Sequence, residues 1–88
     1  MTNNLSLLHL KNILKPMGKV TSIIQDKYIL FQKDNTIFCK MSSNKLYLMD
    51  QYRSFKIVRS SLFNNPDQLL REATTSFYFA AGYKKFGN

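Results

Sequence analysis

The sequence predicts a single α+β domain spanning residues 1–88, with a helix, an antiparallel meander of about five strands and a closing helix. Three observations predict it. Apolar residues recur at helical spacing near the start, the period drops to two through the middle, and Asn65-Pro66-Asp67 reopens a helical pattern after the last strand. A chain of 88 residues has room for one core. At 44% hydrophobic and 14% aromatic, it has the side chains to fill that core.

In the opening segment, Leu7, Leu10, Leu14 and Met17 share one helical face, and Leu8 and Ile13 widen it. Asn3 or Asn4 supplies a cap, and Pro16 and Gly18 close the element, which predicts a helix over residues 5–15. The β-branched run from Val20 to Ile24 then reads as a strand, followed by a turn at Gln25-Asp26-Lys27. Residues 28–33 and 36–41 form a hairpin around Asp34-Asn35, a pair that accepts left-handed backbone. Ser42-Ser43-Asn44 ends the third strand, residues 45–49 make a fourth, residues 50–53 turn, and residues 54–59 make a fifth.

Asn65 as cap, Pro66 at the first helical position and Asp67 in the first turn start the closing helix. Leu69, Leu70, Ala73, Phe77, Ala80 and Ala81 fall on its broad apolar face, and Gly82 ends it. Taken alone, Phe77-Tyr78-Phe79 also fits a strand, but the upstream cap and the downstream alanines favour helix. Lys84-Lys85 follows at the end that prefers cations.

Counting outward from a two-residue Asp34-Asn35 loop places Lys33 opposite Thr36 and Phe31 opposite Phe38. With even-numbered turns beyond, one sheet face collects Leu30, Ile37, Cys39, Leu46, Leu48, Phe55 and Ile57, and this apolar face is expected to carry the helices. The other collects Phe31, Phe38 and Tyr47 with Lys33, Lys40, Lys45 and Lys56. Rings framed by lysines suit single-stranded nucleic acid, where bases stack and cations meet phosphates. The same patch also suits a second subunit or the chain's own loops.

The net charge of +8 and a pI near 9.8 imply attraction to anions, either nucleic acid or an acidic protein, or simply solubility by self-repulsion. One cysteine, Cys39, allows no internal disulfide. With one histidine besides, the chain cannot furnish a tetrahedral zinc set, so no metal or cofactor is expected. The absence of a signal-like start and of a span of about 20 apolar residues predicts a cytoplasmic protein that does not enter a membrane.

The acids point away from catalysis. Asp26, Asp34 and Asp50 fall in turns, Asp67 in a helix first turn, and Glu72 on a helix beside Arg71. His9 lies in the first helix with no partner in reach of the sequence, and strand alternation turns Cys39 inward. The expectation is a binding protein and not an enzyme.

With the strands placed, Tyr28-Ile29-Leu30-Phe31, Asp34-Asn35-Thr36-Ile37-Phe38 and Asn44-Lys45-Leu46-Tyr47-Leu48 resemble the amino-terminal domain of the TfoX/Sxy competence regulators. The stretch Val58-Arg59-Ser60-Ser61-Leu62-Phe63-Asn64-Asn65-Pro66-Asp67-Gln68-Leu69-Leu70 resembles that family's last strand and helix start, so nearly the whole chain is covered. The family's Phe-Gly-Gly-Tyr-Gly turn is here Gln25-Asp26-Lys27-Tyr28-Ile29, the stretch between Tyr47 and Phe55 is shorter, and the family's carboxy-terminal domain has no counterpart. The resemblance implies a secretion-chaperone-like fold in a stand-alone relative. It also implies a regulatory role, since full-length members act with a cyclic-AMP receptor protein on DNA-uptake genes. The partners expected are therefore a transcription factor or other protein, nucleic acid, or a second copy in a homodimer. The competing expectation is a chaperone-like or dimeric interaction scaffold.

Overall fold

Ser6 opens the first helix, its hydroxyl accepting a hydrogen bond from the His9 N–H at 3.1 Å. A computed structural model of the chain describes residues 6–82, so the expected caps Asn3 and Asn4 and the Lys84-Lys85 pair lie outside the described residues. Helix α1 runs Leu7–Leu14 and buries Leu10, Ile13 and Leu14, while Leu8, expected to widen the apolar stripe, is exposed. A 3₁₀ turn, Lys15–Met17, carries Pro16 and ends at Gly18, whose φ of 103° suits a residue without a Cβ.

Five strands follow: β1 (Thr21–Gln25), β2 (Tyr28–Lys33), β3 (Thr36–Ser42), β4 (Lys45–Met49) and β5 (Phe55–Ile57). They form one antiparallel sheet in the order β1-β2-β3-β4-β5, the meander expected from the sequence. Asp34 and Asn35 have φ of 51° and 62°, the doubly left-handed pair of a tight hairpin, and Lys33 faces Thr36 across it. A second 3₁₀ turn, Ser60–Asn64, buries Leu62 and Phe63 and leads into α2 (Pro66–Ala80). The Asn65 side chain accepts from the Gln68 N–H, and the helix continues through Phe77-Tyr78-Phe79.

α2 lies across β3 and β4, and α1 packs against α2 at the edge of the same layer. The core between helices and sheet centres on Leu10, Leu14, Phe31, Phe38, Leu46 and Leu69. Two irregularities decide which strand residues join it.

The first is a β-bulge. Phe31 pairs with Cys39 while Gln32 pairs with Ile37, so Phe38 is an extra residue without a partner on β2. Adjacent residues on a regular strand point to opposite faces. The bulge lets Phe38 and Cys39, both 0% exposed, turn inward together. The expected pairing of Phe31 with Phe38 therefore does not occur. Phe31 (1% exposed) and Phe38 lie beneath the helices and not on the outer face.

The second is the loop from β4 to β5. Met49 pairs with Phe55, so the connection is residues 50–54, one longer than the even turn expected. An odd loop moves every following side chain to the other face. Phe55 and Ile57 accordingly join Tyr47 on the outer face, and Lys56 faces the helix side opposite Leu48. Leu30 and Ile37 are outward as well, since Leu30 pairs with Lys40 and Ile37 with Gln32. Of the seven residues expected under the helices, Cys39, Leu46 and Leu48 are there.

Candidate functional site: the open sheet face

The face without helices is held together at its centre by Lys40. Pairing across the strands sets Ile23, Leu30, Lys40, Tyr47 and Ile57 in one transverse row, with Tyr28 in the next row and Phe55 opposite Met49. The Lys40 Nζ lies 4.4 Å from the Tyr28 ring centroid, 4.7 Å from Phe55 and 5.2 Å from Tyr47. All three distances fall within the roughly 6 Å over which a ring's negative face attracts an ammonium. Tyr28 and Tyr47 meet edge to face at 6.3 Å and 77°. Lys27, in the turn before β2, reaches 5.8 Å from the other side of this cluster, over Tyr28.

Rings and not carboxylates surround this cation. No Asp or Glu occurs in any of the five strands. Among the described residues the one ion pair is Lys56–Asp50, at 3.8 Å. The face thus presents unneutralised positive charge set among partly covered Tyr28, Leu30, Tyr47 and Phe55 and the exposed side chains of Ile23 and Ile57.

The seven residues singled out from the sequence divide accordingly. Lys40, Lys45 and Tyr47 come together on the open face, with Lys45 opposite Ser42 one row from Tyr47. Phe31 and Phe38 are core. Lys33 folds over α2, its Nζ 4.9 Å from the Phe77 ring. Lys56 borders a hollow of about 330 Å³ between β5 and α2 that also touches Arg59, Glu72 and Ser76. Sequence reasoning missed Tyr28 and Phe55, the two rings closest to Lys40. Neither was legible: Tyr28 has the parity of Leu30, which counting places under the helices and the bulge at Phe38 turns outward, and the face of Phe55 depends on the loop length.

The remaining reactive groups lie elsewhere. Cys39 is buried and its thiol pKa is driven well up by loss of solvent. His9 is exposed on α1. Asp50 spends its carboxylate on its own loop, accepting from the Tyr52 and Ser54 N–H groups at 2.9 Å each. Glu72 accepts from the Gln68 amide at 3.0 Å. Among the described residues no group of three His, Cys, Asp or Glu is placed to hold a metal ion, and no helix is long and apolar enough to cross a membrane.

Comparison with protein-family models, with curated proteins and with solved structures finds no match.

Proposed function

We propose that this chain is a non-catalytic regulatory binding module, similar to the TfoX/Sxy amino-terminal domain, that holds a single nucleic-acid strand on its open sheet face. The observation that carries the reading is Lys40 set among Tyr28, Tyr47 and Phe55 on a face without acids. Such a face matches what a single strand offers. Its bases stack on rings, at roughly 1–3 kcal/mol per base, and its phosphates meet cations in Lys27, Lys40 and Lys45. The net charge of +8 adds attraction over the whole surface.

Fluorescence anisotropy with a labelled single-stranded oligonucleotide, at low and raised salt, tests it. The expected result is binding that weakens steeply with salt and is lost in Tyr47→Ala combined with Phe55→Ala. No binding at low ionic strength, or binding indifferent to both substitutions, sinks the proposal.

The aliphatic side chains Ile23, Leu30 and Ile57 on the same face favour a second reading, in which an apolar segment of a regulatory protein is covered there. Capture from native extract that persists after nuclease treatment and depends on Ile57 supports that reading over the first.

A further inference from the structure

Strand β1 is exposed along its whole length, all five residues from Thr21 to Gln25, and it pairs on one side alone, with β2. An edge strand offers its outward N–H and C=O groups to any other strand, and proteins ordinarily blunt such edges with a lysine, a proline, a bulge, a short length or a covering element. The opposite edge follows that rule, since β5 is three residues long with Lys56 at its middle. β1 does not follow it. It carries no charge and no proline and pairs without a bulge over five positions with β2.

Its side chains are as unusual as its backbone. Ile24 is 80% exposed and Ile23 41%. Beside the strand, on the helix side, a hollow of about 380 Å³ is lined by Leu14, Val20, Ser22 and Phe31, with Lys11 and Lys15 also at its wall. Ser22 pairs with Phe31, so the floor of this hollow lies just inward of the free edge.

We propose that β1 is a self-association edge, and that two copies of the chain pair β1 to β1, antiparallel, about a two-fold axis normal to the sheet. One register uses all five residues: Ile23 opposite its own counterpart, Ser22 opposite Ile24 of the second copy, and Thr21 opposite Gln25 of the second copy. Opposed residues share a face. Each Ile24 therefore sits on the helix side beside the other copy's Ser22, at the mouth of the hollow that Phe31 floors. The fit is reciprocal, as a two-fold contact requires.

Each copy carries +8 and repels the other; the five paired positions themselves carry no charge, and the register sets Lys19 of one copy opposite Lys27 of the other just beyond each end. One strand pair with two seated isoleucines falls short of the ~1,600 Å² of a standard stable interface. The dimer is accordingly concentration dependent. Its geometry puts both open faces on the same side of one continuous sheet. The two Lys40 clusters then lie about 24 Å apart, five strand spacings of about 4.8 Å each, so a single long ligand can engage both.

Sedimentation of the full chain from roughly 1 µM to 1 mM tests the proposal. The expected mass rises from 10.3 kDa toward twice that value. Because salt screens the repulsion, association is tighter at about 0.5 M than at about 0.05 M salt. Strand binding to the open face has the opposite salt dependence, so either reading can fail without the other. Ile24→Lys raises the dissociation constant at least about tenfold while leaving the thermal unfolding of the monomer in place. Ile57→Lys adds the same charge at the far edge and leaves the dimer unchanged. A mass of 10.3 kDa at every concentration and salt overturns the proposal, as does a dimer that survives Ile24→Lys or one that is lost in Ile57→Lys.

Discussion

The ring of Phe38 meets that of Phe77 edge-on, with centroids 6.0 Å apart and planes at 85°, and this contact ties the bulged residue of β3 to the last turns of α2. Phe38→Ala removes a ring that is 0% exposed and is expected to cost about 3–5 kcal/mol in urea denaturation. Phe38→Leu and Phe77→Leu retain apolar volume, and the pair is expected to show a coupling of about 0.5–1.5 kcal/mol in a double-mutant cycle. Additive effects would mean that the two rings do not meet.

The order of elements was legible because each is announced locally. Asn65-Pro66-Asp67 needs nothing distant to start a helix, and Asp34-Asn35 needs only its own left-handed backbone to make a hairpin. The faces of the sheet were not legible, because they depend on counting. One extra residue at Phe38 and one extra in the loop at residues 50–54 were enough to exchange Phe31, Phe38, Phe55 and Ile57 between core and open face. Neither has a glycine to mark it. The loop's left-handed position is held by Arg53, at φ 62°, where composition gives no warning. The bulge has a cause visible in hindsight: Phe38 and Cys39 are adjacent and apolar, and alternation alone can bury only one of them. The Lys40 ring cluster was half read, with Lys40 and Tyr47 on one face as expected and Tyr28 and Phe55 supplied by the fold.

Cys39 links core packing to pH. Burial alone raises its thiol pKa far above the ordinary value of about 8.5. The folded state therefore keeps the proton where the unfolded chain releases it. Stability is unaffected below about pH 8.5 and falls as pH rises beyond it, by at most about 1.4 kcal/mol per pH unit for this one group. Denaturation at pH 7.5 and 9.5 should show a loss that is smaller in Cys39→Ala. In the native state at pH 8 the thiol should resist iodoacetamide and react only on unfolding. Rapid labelling of the folded protein would contradict its burial.

The loop at residues 50–54 is organised by one carboxylate. Asp50 accepts two backbone N–H groups, from Tyr52 and Ser54, and its own N–H donates to the Ser54 carbonyl at 2.9 Å. Asp50→Ala is expected to cost about 1–3 kcal/mol by thermal denaturation, since hydrogen bonds to a charged acceptor are the stronger kind. Lys56→Ala, which removes only the exposed partner at 3.8 Å, should change stability by no more than about 0.5 kcal/mol. Equal losses in the two variants would show that the ion pair, and not the loop geometry, is what Asp50 supplies. Because this loop sets the parity of β5, Asp50→Ala should also weaken strand binding through Phe55 while leaving Lys40 and Tyr47 intact.

Lys40 separates folding from binding on the open face. Its ammonium is shared among three rings, and cation–π contacts at a partly solvated site are worth about 0.5–1 kcal/mol. Lys40→Met keeps the stem and removes the charge, so stability should fall by about that amount and no more. Strand binding loses one phosphate contact, and the slope of log affinity against log salt should drop by about 0.7, the single-strand value for one counterion. Lys40→Arg, which preserves the charge and stacks on aromatic faces, should bind within about threefold of the parent. A Lys40→Met chain that unfolds would assign Lys40 to the structure. One that keeps the full salt slope would place the phosphates on other lysines, leaving the rings of Tyr28, Tyr47 and Phe55 without the cation that makes them a nucleic-acid surface.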